Sequence, residues 1–151
     1  MALIHYKELI VYGLERLVRK GRDRRRTTLL PGLHDFESRV VLAKVLAAQF
    51  ARWDVQPLNQ AVLLGLSEPI VEPLDHPLPD DRTVLERAAH LLAIDRALAI
   101  RFPCQPTKRD RWLSLPLAFL DDKTPLESMI IGGLKGIKEV RELAESTDEV
   151  T

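Results

Sequence analysis

A single cysteine, Cys104, occurs in the whole chain. No disulfide can close within it, which fits a reducing compartment. The residue reads as a small, half-buried apolar side chain before it reads as a nucleophile. The sequence also has no apolar run near the roughly 18 residues that a membrane span requires, and no signal-peptide pattern. His5, Lys7 and Glu8 break up the first apolar stretch. A soluble, cytoplasmic protein is the expectation. Strand signals are scarce too: no alternating Val/Ile/Thr run is bounded by hairpin turns. No P-loop, no G-x-G-x-x-G and no G-x-S-x-G elbow occurs. His5, His34, His76 and His90 are scattered, and one cysteine cannot begin a zinc site. Asp80-Asp81 and Asp121-Asp122 read as solvated turn residues, and His90 as a partly buried structural histidine. These absences argue against an enzyme and imply neither a metal nor a cofactor.

What is present is segregated charge beneath a formal net charge of zero. Arg16 to Arg26 carries seven basic residues against the single acid Asp23. Ser67 to Asp81 carries Glu68, Glu72, Asp75, Asp80 and Asp81 with no Lys or Arg, and the tail after Lys138 is acidic again. Such patterning bears on partners more than on fold.

Nearly every long segment has helical period. Leu3, Tyr6, Ile10, Leu14 and Leu17 form one stripe that fades near Gly21. Asp35 is placed to cap a second helix from Phe36 to about Trp53, apolar on most of its circumference and expected at the centre of the core. Pro57 opens a short helix to Leu64, which meets Gly65. Another starts at Ser67, and Pro73 limits it. Pro69 to Pro79 reads as a stiff acidic loop. Thr83-Val-Leu-Glu86 has the form of a capping box opening a helix to Arg101.

Closer to the carboxyl end, Arg111 to Leu120 is expected as a helix bent or split at Pro116, with Trp112 and Phe119 two turns apart on one side. Thr124-Pro125-Leu126-Glu127 is a second capping box. Its helix is expected to end at Gly132-Gly133, before a last helix from about Ile137 to Glu145. The fold expected is all-α: a helical bundle with a helix-turn-helix-like part (about 36–75) within a domain over 1–106, and a three-helix domain over 107–151.

Pro57 to Glu68 has the outline of a helix-turn-helix. Its second helix offers Ser67, Glu68, Pro69, Ile70, Val71 and Glu72. Two carboxylates and no cation repel a phosphate backbone, so that helix is not expected to read DNA. If operator DNA is bound, Arg22, Arg24, Arg25 and Arg26 in the basic arm are the candidates; a solvated basic loop, or a complement to an acidic partner, explains that run equally well.

Several motifs recur in a specific order. The helix ending at Trp53 is followed by Leu63-Leu64-Gly65-Leu66-Ser67. Leu92-Ala93-Ile94, Ala97-Leu98 and Phe102-Pro103 come next, then Trp112-Leu113 with Pro116, Thr124-Pro125-Leu126-Glu127 and a glycine. Together they resemble the Xre/MbcA/ParS-like antitoxin family, over roughly Phe36 to Ser146. Two features depart from its pattern. Asp121-Asp122-Lys123 stands where a glycine usually precedes Thr-Pro, and the recognition helix is acidic and broken by proline.

The resemblance implies an antitoxin of a type II toxin–antitoxin system, encoded beside an NAD-consuming, RES-type toxin whose cofactor pocket it covers. It implies toxin-binding roles for Trp112, Phe119, Thr124, Pro125, Leu126, Gly132 and Gly133. Trp112 and Phe119 would serve as apolar anchors unless they bury against the Thr83 helix. Glu139, Glu142 and Glu145 would meet cationic groups of the toxin. It also admits a homo-oligomer and repression of its own operon. The alternative is a helix-turn-helix transcription regulator acting mainly on DNA.

Overall fold

The computed structural model describes residues 36–68 and 76–146. The expected helix at Leu3–Leu17, the Asp35 cap, the arginines at 22, 24, 25 and 26, and most of the second helix of the helix-turn-helix lie outside them. The protein is all-α. Five helices are described: α1 (Phe36–Arg52), α2 (Pro57–Leu64), α3 (Arg82–Arg101), α4 (Pro106–Trp112) and α5 (Pro125–Glu145), with a 3-10 turn at Ala118–Leu120. Among the described residues there is no strand, only an isolated antiparallel bridge between Leu117 and Lys123. No helix among them is long and apolar enough to cross a membrane.

The central helix is α3, not α1 as its apolar circumference suggested. Leu85, Ala88, Leu91, Leu92, Ile94 and Leu98 of α3 are all buried, and so are Ala89 and Ala93. In α1 the buried stripe is Leu42, Ala43, Leu46 and Phe50, while Phe36 at its start is exposed. One buried cluster holds Leu46, Phe50 and Trp53 together with Leu92, Leu98, Trp112, Met129, Ile137 and Val140, so it spans the expected boundary between 106 and 107.

Helix ends follow local chemistry. Asp54 (φ 56°) and Gly65 (φ 70°) sit in left-handed conformations just past α1 and α2. Each allows the next amide to reach back five residues, Val55 to the Phe50 carbonyl and Leu66 to the Ala61 carbonyl. The cap of α3 is Asp81 rather than Thr83. Its carboxylate accepts from the Thr83 and Val84 amides at 2.8 and 3.3 Å. An anionic acceptor two residues earlier wins over a hydroxyl because it also meets the positive end of the helix dipole. Leu78, buried ahead of this cap, is tied to α1 by two bonds with Arg39: its amide donates to the Arg39 carbonyl, and its carbonyl accepts from the guanidinium.

Buried polar contacts bind the bundle. Arg52 of α1 donates both of its terminal nitrogens to Asp95 of α3 (2.9 and 3.1 Å) and one of them to Asp110 of α4 (3.1 Å). Burial works against the charge of Arg52. Its hydrogen bonds to Asp95 and the carboxylate charges of Asp95 and Asp110 outweigh that and hold its pKa above the ordinary arginine value.

Candidate functional site

The carboxyl-terminal third is a braced corner. Helix α4 stops at Trp112, not Leu120, so the expected helix over 111–120 is split ahead of Pro116 rather than bent at it. Pro116 has no amide to donate and pushes Leu115 out of helical space. Leu117 is accordingly extended (φ −118°, ψ 134°). Its amide donates to the Lys123 carbonyl at 3.1 Å, and its own carbonyl accepts from the Asp122 amide at 3.1 Å. The 3-10 turn lies inside this small loop. The return is made by Asp121 (φ 54°) and Asp122 (φ 62°), both left-handed. Aspartate tolerates this conformation far better than branched residues do, so the chain turns here without the glycine that the resemblance led us to expect.

The loop hands over to α5 through a complete capping box. The Thr124 hydroxyl accepts from the Glu127 amide at 3.1 Å, and the Glu127 carboxylate accepts from the Thr124 amide at 3.3 Å. Pro125 follows at the first helical position. The Leu126 amide donates to the Leu113 carbonyl at 3.1 Å, locking the new helix to the end of α4.

Helix α5 is itself broken. Gly133 (φ 60°, ψ −141°) divides it into arms over 125–132 and 134–145. Only glycine adopts that backbone readily. The break falls where the double glycine predicts it, but the second arm begins at once rather than near Ile137. The chain reverses so sharply that Gly136 packs on the Ser128 carbonyl and the Met129 backbone. Residues eight apart on a straight helix would be about 12 Å apart along the axis.

The predicted site residues separate across this corner. Trp112, only 6% exposed, and Pro125 face the core; Thr124, Leu126 and Gly133 are half-buried; Phe119 is 70% exposed and Gly132 is exposed. Trp112 and Phe119 therefore do not share a face, which corrects the expectation built on their spacing. Two further exposed apolar residues, Leu115 and Ile131 (71%), escaped the sequence reading. Ile131 follows the core-packed Ile130, and nothing local distinguishes the two. Of the three acids in the tail, Glu145 is taken up by Arg141 at 2.8 Å. Cys104 is exposed and left-handed (φ 59°), not half-buried. No group of three His, Cys, Asp or Glu side chains among the described residues is placed to hold a metal ion.

Compared with known families and with curated proteins, the chain matches no family model and no curated sequence.

The second arm is held to α3 by His90, which is buried. Its Nδ1 accepts from Arg141 at 3.1 Å, which leaves the ring proton on Nε2, 4.0 Å from the Glu86 carboxylate. Lys138 also lies 4.0 Å from Glu86. Burial, then the charges of Arg141 and Lys138, lower the His90 pKa from 6.5 to about 4. Between those values the unfolded chain binds a proton that the folded chain refuses, so stability rises with pH and is lost as pH falls through that window. We expect about 2 kcal/mol to disappear between about pH 6.5 and about pH 5. In urea titrations at the two pH values, His90→Gln should show a much flatter dependence.

Proposed function

We propose that the protein is an antitoxin that binds an NAD-consuming, RES-type toxin encoded beside it and blocks the toxin's cofactor pocket by occupying space. The observation that carries this reading is the exposure of Phe119 and Ile131 on a backbone immobilised beneath them. Large apolar side chains held outward by a capping box, a bridged loop and a glycine break lose little entropy on docking. They are the kind of anchor that dominates an interface. Trp112, buried under the corner, supports that surface and does not touch the partner.

The decisive comparison is capture of the co-expressed toxin by the intact chain and by Phe119→Glu and Ile131→Glu. Each substitution should weaken capture by a factor of about 30 or more, the cost of losing an interface anchor of about 2 kcal/mol. Both side chains are exposed, so thermal midpoints should stay within about 1 °C of the parent. Full capture by both variants, at unchanged stability, overturns the reading. Repression of the operon through operator DNA would fall to Arg22, Arg24, Arg25 and Arg26, which lie outside the described residues.

A further inference from the structure

The half-buried arginines of the described residues are, with one exception, engaged. Arg39 donates to the Leu78 carbonyl, Arg52 to Asp95 and Asp110, Arg101 to the Leu143 carbonyl, Arg109 to Asp110 and Arg141 to Glu145. Arg87, in the middle of α3, has no hydrogen bond or ion pair among the described residues, and its Nε is buried with no acceptor. Its side chain lies against two glycine turns. A Cβ on Gly65 would stand 2.9 Å from Arg87 Nε, and one on Gly133 would stand 3.9 Å from Nη2. Both glycines have positive φ, 70° and 60°. The end of α2 and the break in α5, 68 residues apart in sequence (133 less 65), thus meet at one guanidinium with no counter-ion among the described residues.

We propose that Arg87 is the recognition point for a carboxylate carried by a protein partner. The proposal rests on the reading of this corner as a docking surface and adds the chemistry of what docks. The guanidinium carries its charge with no acceptor among the described residues, and an incoming oxyanion supplies one to its Nη groups. With Nε covered by Gly65, the edge formed by the two Nη groups is the one that can take both oxygens of a planar carboxylate. The surroundings favour a protein over a nucleic acid. Val62, shortly before Gly65, and Ile131, shortly before Gly133, are exposed apolar residues. An arginine at two turns that also carry exposed apolar side chains matches the composition of protein–protein anchors.

The test uses the full chain and sodium acetate as the probe. The Arg87 Nε–Hε resonance, assigned by its absence in Arg87→Lys, should shift saturably with acetate and not with chloride at equal ionic strength. The resonance of exposed Arg96, on the same helix, should drift without saturation. An Arg87 shift no larger in acetate than in chloride overturns the site. Saturation by inorganic phosphate at lower concentration than acetate overturns the protein carboxylate in favour of a nucleic-acid phosphate. In toxin capture, Arg87→Gln should lose about tenfold or more, with Arg87→Lys intermediate; capture equal to the parent's overturns the assignment of that carboxylate to the toxin. Should the parent chain capture no toxin at all, the antitoxin reading falls while the acetate titration still decides Arg87.

Discussion

Gly136→Ala is expected to lower the thermal midpoint by about 10 °C, while Gly132→Ala, four residues earlier, should leave it unchanged or raise it slightly. The two glycines differ in what stands in front of them. At Gly132 an added Cβ meets nothing within 4 Å. Alanine there removes backbone freedom from the unfolded chain and gains about 0.5 kcal/mol. At Gly136 the same methyl would overlap the Ser128 carbonyl oxygen and press on the Met129 backbone. A flexible side chain could swing away from such a clash, but a helical carbonyl cannot. One arm must therefore slide, and Met129, Ile137 and Val140, all fully buried, must repack with it. Forced overpacking of this kind costs about 3 kcal/mol, which in a chain of this size is about 10 °C. Scanning calorimetry on the two single variants decides the matter. Equal midpoints would mean that the arms do not touch at Gly136.

Asp95→Ala is expected to cost about 3 kcal/mol, and Asp95→Asn nearly as much. The Asp95 side chain is 3% exposed and Arg52 is 31% exposed. Removal of the carboxylate leaves Arg52 with Asp110 alone, itself partly engaged by Arg109 at 3.3 Å. Breaking one partner of a buried pair strands the other charge, and that stranding accounts for most of the loss. Asparagine retains the shape but offers one acceptor and a donor that faces a donor. By contrast, Asp110→Ala removes a more exposed contact and should cost about 1 kcal/mol. Urea unfolding of the three variants at neutral pH gives the ranking. An Asp95→Ala cost as small as that of Asp110→Ala would contradict the account.

The parts of the fold that were legible in the sequence are the ones set by neighbours in the chain. Thr124-Pro125-Leu126-Glu127 makes its capping box within four residues, and Gly65 ends α2 by the conformation it alone adopts cheaply. Arg82–Arg101 was legible through its period, although Asp81 and Thr83 both qualify as caps and only the competition between carboxylate and hydroxyl separates them. The misplaced elements depend on longer range. Trp112 and Phe119 share a face only if the helix runs through Pro116, and the bridge between Leu117 and Lys123 takes the chain elsewhere. The centrality of α3 over α1 reflects which helix the others close around, which an apolar stripe does not encode. The meeting of Arg87 with Gly65 and Gly133, and the seat of Gly136 on Ser128, arise between distant residues and leave no trace in local spacing.

The buried cluster that runs from Leu42 to Ala144 has an evolutionary corollary. A lineage exchanging the segment beyond residue 106 by recombination would swap six of the cluster's 22 buried residues along with the outward face, and the graft would have to fit its host atom for atom. Change at the surface is more readily reached by point substitutions at Leu115, Phe119 and Ile131, where exposed side chains can vary without disturbing anything underneath.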